Sequence, residues 1–200
     1  YGGWIISGVA EEVEKKISAL GCSGEILKTD KEYLSIINSN INGYKTDGVI
    51  EQGVEHVSEI KPDGSIQNTL TITRKHNGGN SDYEWWNKVN TDYMRIYVPK
   101  GSILLSVEGQ TREFNTPPLD YKLLGFKSDS QVRQEEDSME IDENSGTRIY
   151  QDAGKTVFAN WSIVDPGEAT VIKLSYKLPF KLSGRVLAKN WLDKVGDVFT

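Results

Sequence analysis

Tyr83, Trp85 and Trp86 share one polar stretch with Asn80, Asp82 and Asn87. Aromatic faces bury a large area with few rotatable bonds, and nearby amides and carboxylates bond hydroxyl groups. That mixture stacks on sugar rings or anchors a partner protein, so Asn80, Tyr83, Trp85, Trp86 and Asn87 form the candidate binding set. The structural alternative is an aromatic plug at the end of a sheet. Neighbouring residues in extended chain point oppositely, which makes burial of both indoles in one core hard. Exposure of at least one indole and burial of both stand as equal alternatives. Trp161, within an apolar strand-like run, is expected in the core.

Other constellations are poorer. Asn38, Asn40, Asn42 and Gly43 occupy the first, third, fifth and sixth positions of a calcium-loop pattern, but Asn offers only neutral oxygens and Val49 stands where a bidentate Glu belongs. Asp142, Asn144 and Gly146 read more simply as a hairpin turn than as a cation loop. His56 and His76 fall on different arms of one hairpin and out of register with each other. Neither GxSxG, GxGxxG nor a phosphate-cradling GxxxxGK[ST] occurs. The expectation is therefore no catalytic residue set, no metal and no cofactor. Paired carboxylates remain as an enzymatic route, because 29 Asp and Glu make chance pairs inevitable.

Composition narrows the class. A chain of 200 residues with 37% hydrophobic content is long enough to bury roughly 70% of its unfolded surface around one core. The net charge of −6, with no basic cluster longer than Lys15-Lys16, excludes a phosphate-tracking face and hence nucleic acid as a partner. Cys22 is the only cysteine, so no intrachain disulfide forms, and it reads as a small half-buried hydrophobe. No apolar run reaches membrane-spanning length, so no membrane contact is expected of this segment itself. Beginning on Tyr1, the chain reads as part of a longer protein.

The elements that must position these residues are mostly strands. Residues 7–20 read as a helix, with Val9, Val13, Ile17 and Leu20 on one face, and Gly21 stops it. Short strands are expected over 25–28 and 32–38. Residues 49–60 and 66–75 form a long hairpin across Lys61-Pro62-Asp63-Gly64. Further strand pairs are expected between 93–98 and 102–108, between 139–141 and 147–150, and between 156–164 and 169–178 across Asp165-Pro166-Gly167. A helical insert is expected over 117–137, in two pieces, the second opened by Ser128 with Gln131 three residues on. The expected fold is a mainly β, antiparallel sandwich-like sheet of consecutive hairpins. It occupies residues 1–182 as one domain, and residues 183–200 form a tail with an amphipathic helical pattern.

Four segments in order carry a family resemblance: YLSIINSNINGYKTDGVI (33–50), DGSIQNTLTITRKHNGG (63–79), YMRIYVPKGSILLS (93–106) and GKTVFANWSIVDPGEATVIKLSYKLP (154–179). Over residues 21–182 the chain resembles a bacterial family known only as domain of unknown function 4012. The resemblance implies part of a larger envelope protein with an N-terminal membrane anchor and its bulk outside the cytoplasm, and it transfers no catalytic residues. The expected function is a non-enzymatic binding or structural module for an envelope polysaccharide or a surface protein. A glycan-active enzyme with paired carboxylates and a structural spacer are the alternatives.

Overall fold

Apolar side chains at every second position set the architecture. Among the described residues nine strands form: β1 (Ser35–Ile37), β2 (Ile50–Ile60), β3 (Ser65–His76), β4 (Asn90–Pro99), β5 (Ile103–Glu108), β6 (Glu140–Ile141), β7 (Arg148–Asp152), β8 (Lys155–Val164) and β9 (Ala169–Lys181). They make two antiparallel sheets, ordered β1-β4-β8-β7-β6 and β2-β3-β9-β5. The computed structural model describes residues 9–182 apart from 25, 30 and 113–118. The chain divides into two units, Tyr1–Asp30 and Lys31–Thr200, where a single domain through residue 182 is expected from sequence.

In the second unit, Leu70 and Ile72 of β3 and Ile172, Leu174 and Tyr176 of β9 meet Met94, Ile96 and Val98 of β4 and Phe158 of β8 in one buried core. Each such side chain contributes about 1.5–3 kcal/mol by leaving water. The expectation of a mainly β, antiparallel, sandwich-like fold is correct. The β2–β3 hairpin holds unbroken register from Ile50 opposite His76 to Ile60 opposite Ile66. The β6–β7 pair also forms.

Two expected hairpins do not. β8 bonds to β4 and β7, whereas β9 bonds to β3 and β5, so Asp165-Pro166-Gly167 is a corner between sheets. Pro99-Lys100-Gly101 likewise carries the chain from β4 in one sheet to β5 in the other. Turn chemistry marks a reversal of the chain and is silent about which sheet the next strand joins. The hairpin that sequence reading missed joins β7 to β8 through Ala153 (φ 48°) and Gly154 (φ 72°), the left-handed pair of a tight two-residue turn.

The helical segments depart from expectation in several places. α1 (Val9–Ala19) belongs to the first unit, where Gly21 (φ 69°) ends it and the Cys22 N–H donates to Ile17 C=O. Cys22 is exposed, not half-buried, because it lies just beyond that stop. Residues 26–29 form no strand, and residue 25 lies outside the described residues. Of the insert, residues 121–125 form only hydrogen-bonded turns, and 117–118 lie outside the described residues. α2 (Ser130–Asp137) starts at Asp129, whose carboxylate accepts the Val132 N–H, one residue later than the Ser128 cap expected. The tail at 183–200 lies outside the described residues. Among the described residues no helix is long and apolar enough to cross a membrane.

Candidate functional site

The aromatic segment is the loop that leaves β3 and enters β4 at one end of the sandwich. A short 3-10 turn, Glu84–Asn87, forms its tip. Tyr83 lies against both indoles, tilted to Trp85 with centroids 5.0 Å apart and edge-on to Trp86 at 4.9 Å. Trp85 is 46% exposed and Tyr83 49%, while Trp86 is half-buried against Gly48. One indole therefore faces water and its neighbour roots the loop, a division made possible by their adjacent positions on a tight turn.

Three devices hold this loop. His76, fully buried at the end of β3, accepts the Gly78 N–H at Nδ1 (3.0 Å) and donates from Nε2 to Lys88 C=O (2.9 Å), fastening both ends of the loop to one ring. That pattern assigns the Nε2–H tautomer. Gly78 has no alternative residue, since an added Cβ would overlap the Trp86 carbonyl oxygen. Asn87 accepts the N–H groups of Gly79 (2.8 Å) and Ser81 (2.9 Å) and donates to Ser81 C=O (2.7 Å). Its carbonyl oxygen and one of its two N–H groups are thus committed to the loop's own backbone. Asn80 is exposed, with no side-chain hydrogen bond among the described residues. The corner between β8 and β9 completes the support: Gly167 N–H donates to His76 C=O (3.0 Å), and His76 N–H donates to Glu168 C=O (2.8 Å).

A second segment packs beside the tip. The 3-10 turn Thr46–Val49 follows Lys45, whose φ of 54° is left-handed, a conformation that costs a non-glycine residue about 1–2 kcal/mol. Gly43, Tyr44, Lys45 and Trp85 line a shallow cleft of about 300 Å³, with Tyr44 45% exposed. A larger depression of about 750 Å³ runs along α2, but every lining residue comes from 127–138, so one helix and its lead-in make the whole surface.

Beneath the cleft the sandwich interior turns polar. Asn90 donates to Thr46 Oγ1 (2.9 Å) and Asp47 Oδ1 (2.8 Å) and accepts from Arg74 (2.9 Å). Arg74 also donates to Ser162 Oγ (2.9 Å) and stands 3.4 Å from Asp92 Oδ2, an ion-pair contact without a hydrogen bond. Asp92 Oδ1 accepts the Ser39 N–H at 2.6 Å. Asn40 donates to Thr46 Oγ1 (3.0 Å) and keeps its buried Oδ1 unbonded. Burial pushes the Asp92 carboxyl above the usual carboxylate range, against the pull of Arg74 and the Ser39 amide, and the Asp47 charge pushes the same way. Burial also lowers the Arg74 guanidinium, opposed by Asp92 and Asp47. The pair is electrostatically costly and geometrically fixed.

Other singled-out residues scatter. The Asn38 amide donates to Gln52 and the Asn40 amide to Thr46, so the calcium-like spacing does not converge on one point. His56 sits opposite Leu70, 3.1 Å from the Tyr176 hydroxyl, and His76 sits opposite Ile50. Asp142 caps its own turn by accepting the Ser145 hydroxyl and N–H, which hold it below the ordinary carboxylate value. Among the described residues no three His, Cys, Asp or Glu side chains gather as metal ligands. Trp161 corrects the core expectation: it opposes Tyr93 on the outward face of its sheet, with ring centroids 5.0 Å apart, and is half-buried.

Sequence reading missed the Arg74–Asp92–Asn90 network, although its signal was present. Counting by twos from Leu70 and Ile72 lands on Arg74, and counting back from Ile96 and Met94 lands on Asp92 and Asn90. A charge on the inward parity of two strands predicts a buried pair. No family model, curated protein or solved structure matches the chain.

Proposed function

We propose that the protein is a non-enzymatic binding module of a bacterial cell envelope, held outside the cytoplasm, that takes polysaccharide on the Tyr83–Trp85 platform. The placement outside the cytoplasm rests on the sequence resemblance. The observation that carries the binding reading is the pairing of an exposed indole with a rigidly held loop. Trp85 faces solvent although Tyr83, Trp86, His76 and Asn87 fix the backbone beneath it. Preorganised aromatic area loses little conformational freedom on binding. Tyr44 and Lys45 form the opposite rim, and Asn80 and Asp82 supply exposed polar groups that bond hydroxyls. The cleft lies at the small end of ligand sites, about 300–1,000 Å³, which suits one or two sugar rings of a longer chain.

The carboxylates of the buried network are not placed for hydrolysis, whereas Asp82 and Glu84 stand exposed on the loop itself. Asp47 and Asp92 both act on Arg74, but Asp92 is fully buried and held by Arg74 and Ser39, out of reach of a glycosidic oxygen. A glycan hydrolase needs both carboxyl groups open to substrate. The test is retention of the protein on immobilised bacterial envelope polysaccharides. Wild type is retained and Trp85→Ala is not. Equal retention of the two, or shortening of the glycan during incubation, contradicts the proposal.

A further inference from the structure

Each sheet of a sandwich has two edges, and each edge is a row of unpaired backbone groups that proteins blunt or use. Among the described residues, three of the four edges are blunted. β1 has three residues, β6 has two, and β5 carries a bulge between Leu104 and Ser106. β2 is different: eleven residues long, in unbroken register with β3, and exposed along almost its whole length.

The ladder shows which of its groups are open. Lys61 N–H donates to Ser65 C=O at one end of the hairpin, and Asn77 N–H donates to Val49 C=O at the other, both at 2.8 Å. Bonded and non-bonded pairs alternate along an antiparallel ladder. The odd-numbered residues of β2 therefore bond to β3, and the even-numbered ones turn their N–H and C=O outward. The Ile50 N–H is taken by Asp47 C=O. Those of Gln52, Val54, His56, Ser58 and Ile60 face the open side, and among the described residues no backbone bond reaches them.

The side chains define what fits there. Glu51, Glu55 and Glu59 share the face turned away from the core, opposite Lys75, Thr71 and Gln67, and all three are exposed. Val54 and Ile60 share the other face with buried Ile72 and Ile66, yet remain about half exposed at 49% and 46%. A second copy paired antiparallel about Glu55 sets Glu55 on Glu55 and Glu51 on Glu59, which disfavours that register, whereas a basic strand meets the Glu row with opposite charge in any register that brings the two together. We infer that β2 is a docking edge for an extended basic segment of another protein. That segment adds as a fifth strand with Lys or Arg at every fourth position against the Glu row, and with apolar side chains on the face that meets Val54 and Ile60.

The test titrates the protein with a synthetic strand peptide carrying Lys at every fourth position and Val between, with hydrogen exchange read at the β2 amides. Binding protects Gln52, Val54, His56, Ser58 and Ile60 and weakens as salt rises. Val54→Pro removes one outward N–H without touching the β2–β3 ladder and abolishes binding. Glu55→Lys, or a peptide with Glu in place of Lys, lowers affinity at least about tenfold. Methylation of the peptide's backbone nitrogens abolishes binding with the protein unaltered, so the result does not depend on how any variant folds. Absence of binding would make the Glu row a guard against aggregation and overturn the proposal. So would equal affinity for Lys and Glu peptides, or a wild-type dimer that Val54→Pro dissolves.

Discussion

The middle of the sandwich and its aromatic end are filled by opposite means. Around Leu70, Ile172 and Phe158 the two sheets meet through apolar side chains that need no particular partner. Under Trp85 the same strands present Arg74, Asn90, Asp92 and Ser162, each placed by a specific hydrogen bond or ion pair. Apolar packing is strong and tolerant of exchange, whereas a buried polar network fixes geometry at some expense in stability. The difference separates two tasks: the middle keeps the sheets together, and the polar end sets where the β4 entrance, the Thr46–Val49 turn and the aromatic loop stand.

Substitutions that force one region to behave like the other sharpen the contrast. The largest effect is expected from Arg74→Ala, which leaves the buried Asp92 charge alone and costs about 3–5 kcal/mol in urea unfolding. Replacing both members of the pair, Arg74→Met with Asp92→Leu, recovers most of that loss because no charge remains to desolvate. A double variant as unstable as Arg74→Ala would show that the network supplies net stability and would erase the distinction. In the apolar middle, Leu70→Ala costs about 2–5 kcal/mol through the cavity it leaves, but Leu70→Met costs less than about 1.5.

His76→Ala leaves the Gly78 N–H and Lys88 C=O without partners and costs about 1–3 kcal/mol. Hydrogen exchange should then rise across 77–88 and stay unchanged in β8. A uniform rise over both regions would deny the loop its separate anchorage.

Alkaline titration makes a subtler distinction. Burial pushes the Tyr176 phenol up to about 12, helped by the Glu32 charge and opposed by a hydrogen bond with Asn68. Its folded value lies above the ordinary 10, so its share of stability is intact below pH 10 and is lost as pH rises toward 12. Tyr176→Phe reduces that slope by the Tyr176 share, measured as the change in urea midpoint across this window, and leaves the share of Tyr150, whose phenol burial also pushes up to about 12, while Trp85→Ala leaves the whole slope in place.

Much of the fold was legible in the residues. Alternation in 66–75 and 169–178 announced β3 and β9, and Lys61-Pro62-Asp63-Gly64 announced the hairpin whose Asp63 carboxylate accepts the Ser65 N–H at 3.1 Å. Which strands pair was not legible at Asp165-Pro166-Gly167, because a corner between sheets and a hairpin use the same turn residues and differ only in distant partners. At the site, the aromatic residues could be named but not sorted. Only the packing of Trp86 on Gly48 and the closure of the loop by His76 decide which indole stays outside.

The most direct measurement sets Trp85→Ala beside Trp86→Ala and records urea stability and polysaccharide retention for each. Trp85→Ala should stay within about 0.5 kcal/mol of wild type and lose retention, whereas Trp86→Ala should lose both stability and retention. A Trp85→Ala protein that is destabilised like Trp86→Ala, or that binds as wild type does, would contradict the account of Trp85 as an exposed platform on a fixed base.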